Sequence, residues 1–141
     1  MKFVVHGNPI ALKRHRSFAR GKIHGTYDPS GGDKGDFLAK AMANRPEVPR
    51  DEPLQVNLSF HFIRPKSHYR TGRYADQLKP SAPLWHTKTP DADNLTKFVC
   101  DALNGIFWRD DSCVSVLIVT KRYSERPRTE IEILKLTERN Q

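Results

Sequence analysis

The 141-residue chain carries 24 lysines and arginines against 16 aspartates and glutamates, a net charge of +8, with 37% hydrophobic and 9% aromatic residues. That length allows one domain with a real core and little room for a second, and the apolar share excludes a disordered polymer. No run of about 18 apolar residues occurs, which excludes a membrane-spanning helix, and Met1 to Gly7 lack the apolar stretch of a secretory signal, so a cytoplasmic location is expected.

Residues 2–5, Lys-Phe-Val-Val, predict a short strand entering a loop. Residues 11–24 are basic around Phe18 and follow no clear period, so they read as a mobile loop or an extended arm. Gly25, Pro29, Gly31 and Gly32 make residues 25–33 turn-rich. A short helix is expected from about Lys34 to Asn44, with Phe37, Leu38 and Met42 turned inward, and Pro46 and Pro49 end it. Residues 54–62 give the clearest strand. Leu54, Val56, Leu58, Phe60 and Phe62 alternate with Gln55, Asn57, Ser59 and His61, which buries one face and leaves the other wetter.

A long polar loop follows over residues 64–86. It interleaves Arg64, Lys66, Arg70, Arg73 and Lys79 with Tyr69, Tyr74 and Trp85. That mixture suits a nucleic-acid backbone with unpaired bases, and it equally describes a solvated loop with incidental charges. Pro90 keeps residues 87–90 extended. A helix is then expected from about Asn94 to Asn104. Leu95, Phe98, Val99, Ala102, Leu103 and Ile106 form its apolar stripe, and Gly105 caps its C-terminus. Residues 113–121, rich in β-branched side chains, read as a strand. Residues 129–136 read as its hairpin partner, joined through residues 124–128. The expected fold is one α+β domain over residues 1–141, roughly β-α-β-α-β-β, with a mixed or antiparallel sheet packed by helices.

Charge is unevenly spread along this chain. Residues 1–50 sum to +6, residues 51–90 to +3, residues 91–111 to −3 and residues 112–141 to +2. A basic chain of this kind meets polyanions, yet one acidic island lies within it. A bound divalent cation would let a phosphate approach that island.

Asp91 and Asp93 precede the second helix, and Asp110 and Asp111 follow it. In extended backbone, residues i and i+2 project to the same side, so Asp91 and Asp93 can point together. Lys97 lies one helical turn after Asp93, and Asp101 one turn further. A bland reading competes: Asp93 as helix N-cap with Asp91 near the positive helix end, Asp93–Lys97 and Lys97–Asp101 as ordinary ion pairs worth tenths of a kcal/mol, and Asp110-Asp111 as a solvated turn. Capping needs only one aspartate, however, and leaves three unexplained. A calcium loop starting at Asp91 fails, because its sixth position is Thr96 and its twelfth Ala102, where glycine and glutamate are needed.

The stretch Asp91-Ala-Asp93-Asn94-Leu95-Thr-Lys97, then Asp101-Ala102-Leu103, then Trp108-Arg-Asp110-Asp111-Ser-Cys-Val114 resembles the signature of the RusA family of Holliday-junction resolvases. The match is dense over about 24 residues at fixed spacing. Weaker agreement extends to the basic N-terminal segment, the Tyr27-Asp28-Pro29 turn, the strand at 54–62 and the closing hairpin, and none covers residues 64–86. The resemblance implies a Mg²⁺-dependent endonuclease, with Mn²⁺ as a substitute, that acts as a homodimer on four-way DNA junctions. By motif position it makes Asp91, Asp93 and Asp111 the catalytic, metal-binding carboxylates and Lys97 the catalytic lysine. Asp110 becomes a supporting acid or auxiliary ligand. Asp101 orients Lys97 or serves packing. The three catalytic aspartates are expected to converge in the folded chain.

Lys13, Arg14, Arg16, Arg20, Lys22 and Lys88 are the candidate DNA contacts. Phe18 and Tyr27, set among basic residues, are candidates to touch DNA, while Phe107 and Trp108 read as packing. Candidate dimer contacts are residues 114–119 and the neighbourhood of Trp108. The six histidines show no metal-ligand spacing, and Cys100 and Cys113 read as two reduced thiols. Neither a membrane nor a small-molecule substrate is expected. The alternatives are a basic branched-DNA-binding protein without cutting activity and a related nuclease for flaps or other branched forms. The intact Asp91, Asp93, Lys97 and Asp111 argue against the first.

Overall fold

The alternating residues of the clearest strand make it the centre of the structure. This is a computed structural model describing residues 1–14 and 16–137; His15 of the basic arm lies outside the described residues. Strand β4 (Leu54–Ile63) has β6 (Arg128–Lys135) antiparallel on one side and β5 (Val114–Ser124) parallel on the other. Strand β1 (Lys2–His6) completes the sheet beyond β6, giving the order β1-β6-β4-β5. Register follows the apolar pattern. Val56 pairs with Ile133 and Leu58 with Ile131, so all four bury on one face.

Two helices cover that face. Helix α1 (Gly31–Ala41) buries Phe37 and Ala41, and α2 (Ala92–Leu103) buries Leu95, Phe98, Val99, Ala102 and Leu103. Phe37 meets Phe98 edge-on at 5.7 Å, and Phe3 stacks on Phe107 at 5.1 Å. Both helices start earlier than expected. Asp91, not Asp93, occupies the N-cap of α2, and Gly105 takes the left-handed conformation (φ +80°) just beyond its C-cap.

Two expectations fail. Residues 11–24 are neither a mobile loop nor a lone extended arm, because β2 (Arg16–Arg20) and β3 (Ile23–Tyr27) pair as a separate antiparallel hairpin. Gly21 opens its two-residue turn at φ +59°, and the Phe18 ring lies so close over Gly25 that a Cβ there would stand 2.8 Å from it. The hairpin packs on itself and stays mostly exposed, so no in-out alternation marks it in the sequence. Second, β5 and β6 are not hairpin partners, because β4 lies between them. With Leu54, Val56, Leu58 and Phe60 all essentially buried, β4 gains most from the central position, and residues 125–127 pass its end.

Strand β5 is therefore a sheet edge. Its far part is covered by the end of the polar loop, where Tyr123 donates its N–H to Leu84 O (2.9 Å) and His86 donates to Lys121 O (3.1 Å). Its near part leaves Val116, Leu117 and Ile118 37%, 45% and 49% exposed.

Candidate active site

The start of α2 presents two carboxylates and an amine with no protein partner among the described residues. Asp91 sits at the N-cap in extended conformation, yet its side chain makes no cap hydrogen bond. Asp93 lies in the first turn and Lys97 one turn on, and all three are exposed. Among the described residues, none gives a hydrogen bond or ion pair to these three side chains. Neither the capping nor the Asp93–Lys97–Asp101 ion-pair reading is realised. Asp101 instead faces Lys34 of α1 at 3.8 Å, and Lys34 also binds Asp28 at 2.5 Å. Asp101 thus ties α2 to the root of the hairpin and does not orient Lys97.

The backbone leading into Asp91 is held from β5. Lys121 Nζ donates to Lys88 O at 2.8 Å and to Pro90 O at 2.7 Å. Hydrogen bonds from a charged donor contribute roughly 1.5–3 kcal/mol each, well above an exposed ion pair on a helix. Nothing in the sequence marks Lys121 for this task, because it reads as one more lysine in a strand. From the other side Leu12 N–H donates to Asn94 O (3.1 Å) and Lys13 N–H to Ser30 Oγ (2.8 Å). These bonds root the basic hairpin beside the start of α2. Lys13, Arg14, Arg16, Arg20, Lys22 and Lys88 are all exposed. Phe18 and Tyr27 are also solvent-accessible, at 41% and 48%.

Asp111 stands elsewhere. Trp108, fully buried as the packing reading expected, donates its Nε1–H to Asp111 Oδ1 at 2.8 Å. The W-x-D-D spacing carried this link, but an indole read as packing hid its second role. Asp110 accepts from Ser112 N–H at 3.0 Å as the cap of the short 3₁₀ turn at Asp111–Cys113. The hydrogen bonds from Ser112 hold the Asp110 carboxyl below its usual range. The Cys100 thiol, late in α2, is pushed up to about 12 by burial and then by the charges of Asp111 and Asp101.

The two acidic groups sit at opposite ends of the sheet. Arg50, just before β4, pairs with the Phe107–Arg109 backbone, whereas Lys121, late in β5, holds the approach to Asp91. Helix α2, 12 residues and about 18 Å long, starts at its N-cap Asp91, whereas the Asp111 charge acts on Cys100 near its other end. The expected convergence of Asp91, Asp93 and Asp111 does not occur within one chain. Among the described residues, no group of three or more His, Cys, Asp or Glu is gathered closely enough to hold a metal ion. What the chain holds is two acidic groups, one open and one helical turn from Lys97, the other braced by an indole.

Comparison with known proteins bears on both. The family model described as endodeoxyribonuclease RusA matches residues 6–134, which contain both acidic groups and the hairpin. An uncharacterized protein, YqaN of Bacillus subtilis (strain 168), is 35% identical over 139 residues, covering 94% of each chain.

Proposed function

The chain belongs to the RusA endodeoxyribonuclease family, and on that premise we propose that it resolves four-way DNA junctions as a homodimer, with Mg²⁺ held by Asp91 and Asp93 of one copy and Asp111 of the other. The observation that carries this reading is the pair of carboxylates, without a partner among the described residues, at the positive end of α2 inside an otherwise basic chain. The donor chemistry fits the ion. Mg²⁺ prefers carboxylate and water oxygens, and the same donors accept Mn²⁺. A bound divalent cation would supply a more acidic water and a polarised phosphate.

The second copy resolves the separation of the half-sites. The exposed apolar edge of β5 at residues 116–118 offers unpaired backbone groups, which favour strand addition. Antiparallel pairing of two β5 strands centred on Leu117 would pair residue 116 of one copy with residue 118 of the other, along the free stretch of the edge. Asp111 of the first copy would then approach the end of the sheet where Asp91 and Asp93 of the second stand. A two-fold axis also matches the paired incisions that a four-way junction requires.

Within each half-site the chain's own groups have distinct tasks. Lys97 offers a compact positive charge for a phosphate oxygen. The Trp108 indole fixes the direction of Asp111. Lys121 keeps residues 88–90, and with them Asp91, in place. Lys13, Arg14, Arg16, Arg20, Lys22 and Lys88 gather the DNA backbone, an attraction that weakens with salt.

The test mixes two inactive variants. Asp93→Asn and Asp111→Asn are each expected to bind a synthetic junction without nicking it. After co-refolding, a mixed dimer would carry one intact site and one doubly altered site. Random pairing makes half the dimers mixed, so activity should return to about a quarter of wild-type sites. Absence of any recovery would sink the shared site, and full activity of either variant alone would remove that residue from catalysis.

A further inference from the structure

The polar loop at residues 64–86 holds an aromatic side chain that the proposed site does not use. Trp85 is 52% exposed, while the chain's other tryptophan, Trp108, is fully buried. An exposed indole on a loose segment would mean little, but this one is pinned. Its neighbours Leu84 and His86 bond to Tyr123 and Lys121 of β5 at 2.9 and 3.1 Å, and Trp85 itself bridges Arg122. The His86 ring is buried against Phe62 at 3.9 Å, anchoring the backbone immediately after the indole. The guanidinium of Arg122 lies over the Trp85 ring, 5.2 Å from its centroid, and Arg122 Nε is a buried donor without a hydrogen-bond partner among the described residues.

The surroundings select the occupant. Residues 77–90 contain Lys79 and Lys88 and no carboxylate, and the β5 residues paired with this segment are Lys121, Arg122 and Tyr123. An indole half open to solvent and backed by a guanidinium, on a segment whose charged side chains are all basic, suits the π-face of an unstacked base together with its phosphate. Tyr74 differs, because Arg70 at 4.3 Å and Arg73 at 5.0 Å both stack on it. Trp85 is also fixed relative to the acidic half-site. It stands six residues before Asp91. Lys121, next to Arg122 on β5, clamps both segments: its carbonyl takes His86 N–H while its Nζ donates to the Lys88 and Pro90 carbonyls.

We propose that Trp85, backed by Arg122, stacks on an unstacked DNA base beside the bound branch point and so sets where the scissile strand lies relative to Asp91 and Asp93. This rests on the junction-cutting reading and adds a selectivity residue to it. A paired duplex has all its bases stacked, so the stacking favours branched or unpaired DNA over duplex, whereas the lysines and arginines serve both alike.

The experiment follows tryptophan emission and affinity in EDTA, with a synthetic four-way junction and a fully paired duplex as probes. For the wild type, the junction should quench emission more strongly than the duplex. Trp85→Phe should lose that quenching, since buried Trp108 remains, while keeping junction affinity within about twofold. Trp85→Ala should weaken junction binding about tenfold and leave duplex binding nearly unchanged. Unchanged junction affinity in Trp85→Ala, or equal losses on both probes, overturns the inference while the junction-cutting reading stands. So does a shift in sedimentation of Trp85→Ala without loss of junction preference, which would make the indole a protein contact. If the wild type shows no junction preference, the junction-cutting reading itself fails. A duplex with a single-stranded tail then decides Trp85 alone: quenching supports base stacking, and unchanged emission overturns it.

Discussion

Trp108 donates its indole N–H, the one polar hydrogen of its side chain, to Asp111 at 2.8 Å from a fully buried position. The indole therefore packs the core and aims a carboxylate at once, and the two roles can be separated. Trp108→Phe keeps a large apolar ring and frees Asp111. Nicking should fall roughly 10- to 100-fold, the usual effect of losing a group that orients a metal ligand, the role proposed for Asp111, while junction affinity holds. Activity that matches the wild type at normal melting temperature would show that Asp111 needs no such brace.

Asp93→Asn removes a negative charge that repels phosphate and a ligand of the proposed ion. Cutting should vanish while junction binding in EDTA stays equal or tightens. Lys97→Ala should also stop cutting, with a modest loss of affinity because one positive charge goes. Gel-shift and nicking assays on one junction check both, and a parallel collapse of binding in the two variants would point to misfolding.

A lysine on the free edge of β5 should break the proposed dimer. Ile118 is 49% exposed, so Ile118→Lys should change monomer stability by no more than about 0.5 kcal/mol. Edge charges oppose strand pairing. Sedimentation equilibrium should then show a folded monomer, and nicking should fall with it. An intact dimer would move the interface away from residues 116–118.

Neutralising Lys13, Arg14 and Arg16 together should weaken DNA binding and flatten its salt dependence. On duplex DNA, the log–log slope falls by about 0.9 for every phosphate that the protein no longer neutralises. Lys13 lies 4.0 Å from Asp33, at the limit of an ion pair, so the largest effect should come from Arg14 and Arg16. A slope equal to the wild type would take the base of the hairpin off the DNA.

His86 couples stability to acidity. Burial, and then the nearby Lys121 charge, lower its pKa below the ordinary 6.5. The unfolded chain thus takes up a proton near that value while the folded chain resists it. Stability is full above the unfolded pKa and declines as pH falls below it toward the folded one. His61, also lowered first by burial, acts in the same direction. Melting temperature should drop between about pH 7.5 and 5.5, and less so in His86→Phe, which keeps the ring against Phe62. Equal drops in both proteins would take His86 out of this coupling.

The sequence by itself determined the local elements that carry their own periodicity. Alternation fixed β4, the three-four spacing fixed the buried face of α2, and the aspartates and Lys97 around that helix pointed to the family that the comparison then found. Only the tertiary structure decided what depends on non-local pairing. The hairpin at residues 16–27 packs Phe18 on Gly25 and buries little, so it leaves no periodic trace. The order β1-β6-β4-β5 arises because β4 has the most apolar surface to cover, not because β5 and β6 are neighbours in the chain. The same topology sets Asp91 and Asp111 at opposite ends of α2. Spacing in the sequence records that Asp111 follows Asp91 by 20 positions, but a helix turns that separation into about 18 Å of rigid axis.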